Sequence, residues 1–243
     1  GLALGVDKGD AMIRERVIFK ALSIVDAGLK LPPVDDQMLR EWFEKNRKQY
    51  EAAKEDFAQL VQTLIDRFAN KDEEIAQLKA KDCTFRINRD VRFSKDKSPY
   101  KTNMGASINK GGKKTMTAGY YFHFEPGNSF VGGGLYAPMP EDLKKVRQEI
   151  DYSFDEFKEV IGSKKFKAIY GDLNRSNEYS LSRPPKGYEQ DNPAIEYLKL
   201  KSFVAMTTVS DAELTGKELV KKITDAFEAL MPMVKFMHRA LEH

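Results

Sequence analysis

The sequence predicts an α+β fold: one domain with a mainly antiparallel sheet and long N- and C-terminal helices packed on it. Three observations lead there. Apolar residues recur in steps of three and four over about thirty residues near the N-terminus and again at the C-terminus, as on a helix with one buried side. Between them, Thr117–Glu125 reads T-A-G-Y-Y-F-H-F-E, a β-prone aromatic run with turn signals on both sides. Neither an internal repeat nor a low-complexity linker divides the chain.

Taken in order, residues 11–31 carry Met12, Ile13, Val17, Ile18, Leu22, Ile24 and Val25, which fits one or two short helices with an imperfect period. Pro32-Pro33 stops them. Residues 1–33 are therefore set apart as a variable helical segment, and residues 34–243 as the α+β domain. Gly1 stands where an initiator Met would, and both chain ends read as expression remnants, with Met12 nearer a native start. Asp35 or Asp36 caps the next helix. Its apolar side holds Leu39, Trp42, Phe43, Tyr50, Phe57, Leu60, Val61, Leu64, Ile65 and Phe68.

After Asp82 the period changes. Cys83–Ile87 reads as a strand, residues 88–103 as an irregular loop, and Met104–Asn109 as a strand. Lys110-Gly111-Gly112-Lys113 turns the chain into Thr117–Glu125, and Pro126-Gly127-Asn128 turns it back along Ser129–Ala137. A helix starts at Pro140. Ser153–Glu156 looks like a capping box for a helix ended by Gly162, and a short helix follows over Lys164–Ile169. Glu178–Ser182 is a candidate strand, Asn192–Leu198 a short helix, and Ser202–Val209 the last strand. Thr215–Glu218 reads as a second capping box. It opens a helix with Leu219, Ile223, Phe227, Leu230, Val234 and Met237 on one side and a kink at Pro232.

The net charge of +3 is too small to argue for a polyanionic partner, but its distribution is uneven. Residues 86–114 hold nine Lys or Arg against two Asp, a local +7. The candidate anion ligands lie in this stretch: Arg86, Arg89, Arg92, Lys95, Lys97 and Lys101, with Tyr100 among them. Guanidinium forks fit phosphate or carboxylate, Lys adds point charge, and an aromatic can stack on a base. The alternative is internal pairing, Arg89 with Asp90 and Lys95 or Lys97 with Asp96, with the remaining charges solvated.

Gly132-Gly133-Gly134 matches neither a phosphate loop nor a dinucleotide fingerprint, and reads as strand backbone closely approached by β-strand rings or by a ligand. His123 is a candidate proton carrier, with Glu125 on the same strand face as its partner; Asp90 is the other candidate. No H-x-x-x-H, paired cysteine, Asp-rich loop or G-x-S-x-G occurs, so neither a metal nor a cofactor is expected, and no serine nucleophile. A lone cysteine, Cys83, suggests a reducing, cytoplasmic setting, and no apolar run is long enough for a membrane span.

Several separated motifs fall in a familiar order: Arg40-Glu41-Trp42-Phe43 with Asn46 and Tyr50, F-R-I-N-R-D-V-R-F-S-K-D-K-S-P-Y-K-T, Ser129–Tyr136, and P-K-G-Y with Pro193 and Lys199. From about Arg40 to the C-terminal helix the chain resembles the bacterial and fungal family called domain of unknown function 2461. Asp35-Asp36-Gln37-Met38 stands where that family has an Asn-rich turn. The resemblance implies a compact cytoplasmic domain and supplies no reaction. The residues leave three readings: an anionic, phosphorylated small molecule held by the basic loop 86–101; a structural or interaction protein with internally paired charges; or a nucleic-acid module that adds Lys110, Lys113 and Lys114. Whether the protein is an enzyme stays open.

Overall fold

A computed structural model describes residues 36–89 and 100–242, with side chains from Gln49 onward. The expected N-terminal helices, the Trp42-Phe43 pair and the loop residues 90–99 lie outside the described side chains. Among the described residues, eight α-helices and four strands follow one another: α1 Asp36–Phe68, α2 Ala80–Cys83, β1 Met104–Asn109, β2 Gly119–Phe124, β3 Ser129–Leu135, α3 Pro140–Tyr152, α4 Phe154–Gly162, α5 Lys164–Tyr170, α6 Ile195–Leu198, β4 Phe203–Val209, α7 Asp211–Leu214 and α8 Leu219–Glu242. The sheet order is β1-β2-β3-β4, with every neighbouring pair antiparallel. Strands β1 to β3 form a meander. Helices α3 to α6 intervene before β4 pairs with β3.

Alternation along β2 decides which side of the sheet is covered. Tyr120, Phe122 and Phe124 are buried, while Tyr121 and His123 are only partly so. The buried side meets α1 and α8. Phe57 lies 6.2 Å from Phe122 and 6.4 Å from Phe124, and Phe68 packs edge-on to Tyr120 at 5.2 Å and to Phe227 at 5.8 Å. Each such fully buried ring contributes about 2–3 kcal/mol through lost water contact. The buried stripe of α8 is the predicted one, Leu219 through Met237, and the helix runs on through exposed Pro232. That proline offers no N–H to the preceding turn, and the helix continues because its apolar side is fixed against β3 and α3.

The glycine run is where α8 comes closest. A Cβ on Gly133 would stand 2.1 Å from the Gly119 carbonyl oxygen and 2.7 Å from Leu230, and one on Gly134 would stand 2.8 Å from Met233. The expectation is close approach by β2 rings or by a ligand; on this side the groups that approach are the backbone of the neighbouring strands and the α8 side chains Leu230 and Met233.

Four local expectations give way. Cys83 ends helix α2, and only Thr84 bridges the sheet, opposite Ala106, so Cys83–Ile87 is not a strand. Burial of Ala80 and Cys83 together favours a helical turn there. Around Glu178–Ser182 a single bridge forms, Ser180 to Leu200. Ser153 makes no side-chain cap; its hydroxyl donates back to Glu149 at 3.2 Å. Thr215 donates to the Ala212 carbonyl, and the capping box forms five residues earlier, between Ser210 and Glu213 at the start of α7.

Candidate functional site

The other side of the sheet is an open groove of about 640 Å³. Register builds it in three rows. Gly105, His123, Phe130 and Thr208 lie side by side, then Ser107, Tyr121, Gly132 and Met206, then Asn109, Gly119, Gly134 and Val204. Where the rows carry glycine, the floor is bare backbone. Tyr136, 64 % exposed, rises where β3 ends and meets Tyr179 edge-on at 6.4 Å.

A chain of hydrogen bonds runs along β2 on this floor. The Tyr121 hydroxyl is 3.2 Å from His123 Nδ1, and His123 Nε2 is 3.3 Å from Glu125 Oε2. Residues two apart on a strand share a face, which is why a Y-x-H-x-E spacing lines up three side chains. Asn128 donates to Glu125 at 2.7 Å, Thr102 donates to it at 3.3 Å, and the His123 ring stacks on Phe130 at 4.8 Å. Burial pushes the Glu125 carboxyl up, but donation from Asn128, His123 and Thr102 outweighs this and holds it below its ordinary value. Glu125 is therefore an anion that accepts from Nε2–H. Nδ1 is then the acceptor for the Tyr121 phenol in the neutral ring. Burial, with the charge of Glu125 added, raises the Tyr121 phenol, so it stays protonated.

The basic stretch reaches the groove through its stem. Asn88 bridges Tyr100, and the Lys101 N–H donates to the Ile87 carbonyl at 2.8 Å. That pairing carries Arg86 and Lys101 to the groove wall, beside Phe85. Phe85 lies 6.5 Å from Tyr121. Lys113 also lines the wall, with its ammonium donating to the carbonyls of Lys81 and Thr84, both at 2.6 Å. Arg86 and Lys113 face a second hollow of about 560 Å³ between α1, α2 and β1 as well, where Lys54, Lys81 and Lys114 add charge.

The predicted site residues thus divide. Arg86, Lys101, His123 and the backbone of Gly132–Gly134 come together around one groove. Tyr100 does not join them; it is 4 % exposed, its ring 3.7 Å from that of Tyr50. Arg89 sits in the stem, outside the groove lining. Arg92, Lys95, Lys97 and Asp90 fall outside the described residues. Tyr136, Tyr179 and Asn109 were not anticipated. Alternation in M-G-A-S-I-N, with Gly105, Ser107 and Asn109 on one face, was the available signal for the last.

The family model described as "Conserved hypothetical protein (DUF2461)" matches residues 34–236. The chain belongs to the DUF2461 family. No match was found among curated proteins or among solved structures. In this DUF2461 chain the matched span covers α1, the sheet and most of α8, so every described groove residue falls within it. Among the described residues there is no group of His, Cys, Asp and Glu arranged to hold a metal, and no helix is long and apolar enough to cross a membrane.

Proposed function

We propose that the open sheet face binds an anionic small molecule, in particular a phosphorylated one, with Arg86 and Lys101 as its charge partners and His123 as the proton carrier beneath it. The observation that supports this most is the convergence of two cationic side chains on a groove whose floor holds the Tyr121–His123–Glu125 chain. A ligand anion near Arg86 and Lys101 meets fork-shaped and point-charge donors in a partly desolvated wall. With Nδ1 as the acceptor, His123, oriented by Glu125, would take a proton from a bound group through the Tyr121 hydroxyl. Lys110 and Lys113 already have internal partners, Glu74 at 3.0 Å and two backbone carbonyls, which favours a structural role for these two over a nucleic-acid stripe.

Thermal unfolding against phosphate, sugar phosphates, mononucleotides and short oligonucleotides tests the reading, with Arg86→Ala/Lys101→Ala alongside. A ligand at 100 times its Kd adds about 2.7 kcal/mol. For a chain of this size that is a shift of about 5–10 °C. The shift is expected with a small phosphorylated molecule and is expected to vanish in the double variant. A shift only with oligonucleotides, falling steeply with salt, would replace this reading with the nucleic-acid one. No shift at all, with an early-melting variant, would make the basic residues structural.

A further inference from the structure

The described residues expose six large apolar side chains, and four of them line the groove: Phe85, Met116, Tyr136 and Met206. Single exposed apolar residues are ordinary, but their concentration around one concavity marks a surface that something apolar covers. Phe85 is 42 % exposed and Met116 53 %, and Met206 is 36 % exposed although it sits inside a strand. The four stand on different sides of the groove. Phe85 follows Thr84, which bridges Ala106, and its N–H donates to the Gly105 carbonyl at 2.9 Å, so it flanks the outer edge of β1. Met116 lies in the connection between β1 and β2, and Tyr136 follows the end of β3. Met206 lies on β4, in one row with Ser107, Tyr121 and Gly132.

The charge is of one sign. Among the described residues the groove lining holds the cations Arg86, Lys101 and Lys113 and no carboxylate. Arg86 and Lys101 enter beside β1, on the two arms joined by the Lys101–Ile87 backbone bond. From β1 to β4 is three strand spacings, about 14 Å. An anion seated beside β1 therefore leaves an apolar strip that runs across the sheet to Met206 and Tyr136. A second copy of the chain suits this face poorly, because its matching face brings further cations and no carboxylate to meet them. Two of the four exposed side chains are methionines, which adapt to a flexible aliphatic body more readily than a rigid wall would.

We infer that the groove takes an amphipathic anion: a phosphate monoester whose alkyl or isoprenoid-type chain crosses the sheet from Arg86 and Lys101 toward Met206 and Tyr136. The inference rests on the anion-binding reading above and narrows it to a ligand class. The head group meets the cations, and the chain covers apolar surface that the fold leaves in water.

Calorimetric titration of the full chain with butyl, hexyl and octyl phosphate, each below its micelle concentration, tests this. Ribose 5-phosphate, phenyl phosphate and octylammonium are run beside them. A fully buried methylene is worth about fourfold in affinity, so a half-covered chain gives about twofold per carbon and about tenfold or more from butyl to octyl phosphate. Met116→Asn/Met206→Asn, a pair of changes at exposed side chains, is expected to flatten that rise to about threefold or less and to leave ribose 5-phosphate unchanged. Equal affinity across the alkyl series would overturn the inference and leave the anion site standing. Octylammonium binding as tightly as octyl phosphate would also overturn it, since the head group would then be irrelevant. Phenyl phosphate binding more tightly than octyl phosphate would give the groove to an aromatic ester instead. Sedimentation of the chain with phosphatidate-containing vesicles, without binding of free octyl phosphate, would assign the face to a membrane surface. Concentration-dependent dimerisation that Met206→Asn abolishes would assign it to a second copy. Absence of binding by every phosphate would remove both this inference and the anion-binding reading.

Discussion

Gly105 leaves room for the Tyr121 hydroxyl: a Cβ on Gly105 would stand 2.6 Å from the phenol oxygen. The two residues lie diagonally across the β1–β2 ladder, since Gly105 pairs with His123 and Ser107 with Tyr121. Gly105→Ala is therefore expected to push the phenol away from His123 Nδ1 without breaking the sheet. The clashing atom is the free end of a side chain over an open groove, so the cost is about 1 kcal/mol. Ring ¹⁵N shifts of His123 should move while Tm falls only about 2–4 °C. Gly133→Ala makes the contrast. Its φ of +154° and a Cβ 2.1 Å from the Gly119 oxygen leave nothing free to yield, and a loss above about 3 kcal/mol is expected by denaturant titration. Equal losses in the two variants would mean that Gly105 serves the backbone and not Tyr121.

On the covered side of β2, the Tyr120 hydroxyl donates to Asp72 Oδ2 at 2.6 Å, with both residues buried. Asp72 also accepts from the Glu74 N–H at 3.2 Å, so one carboxylate fastens the turn after α1 to the middle of the sheet. Burial, then the bond to Asp72, drives the Tyr120 phenol far above its ordinary value. Tyr120→Phe keeps the ring packing and removes the donor. The expected cost is about 1.5–3 kcal/mol, as for other hydrogen bonds to charged groups. Urea unfolding would show it as a lower midpoint with an unchanged slope. An unchanged midpoint would mean that another donor takes over the carboxylate.

Long periodic elements were legible because their pattern repeats many times. The stripe of α8 and the alternation of β2 each give five or more residues the same instruction, so one odd residue such as Pro232 does not reverse it. Short pieces were not. Cys83–Ile87 has the composition of a strand, yet only Thr84 finds a sheet partner, and tertiary packing turns Ala80–Cys83 into a helical turn. The two misplaced capping boxes have the same origin: serine and threonine before an acidic residue are common, and the partner chosen by the hydroxyl depends on the preceding turn. In the groove, His123 with Glu125 was readable from period two alone. Its continuation across β1, β3 and β4 was not, because register between strands fixes which residues become neighbours.

The capping box that does form gives a pH signature. Glu213 is held at about 2, by the Lys222 ammonium first and then by the N–H and hydroxyl of Ser210. Its folded value lies below the ordinary 4.5, so its contribution to stability is complete above about pH 4.5 and is lost as the pH falls toward about 2. The side chain is largely exposed and screened, which limits the contribution to about 1 kcal/mol. Glu213→Gln should lower the unfolding free energy by that amount at pH 6, and the gap should close by about pH 2. A gap that persists in acid would assign the effect to packing and not to charge.

Cys83 is fully buried where α2 meets β1, and burial, with the charge of Asp82 added, pushes its thiol up to about 11. At pH 8 only about one thiol in a thousand would be ionised, and none is reachable without opening α2. A maleimide is expected to label native protein at least about a hundredfold more slowly than unfolded protein, with a rate set by opening. The position matters for the groove, because Cys83 precedes Thr84, Phe85 and Arg86, the residues that turn the chain from α2 onto the groove wall. Fast native labelling would mean that α2 opens locally. Arg86 would then ride on a mobile segment, and a ligand that engages it should slow the labelling in proportion to its occupancy.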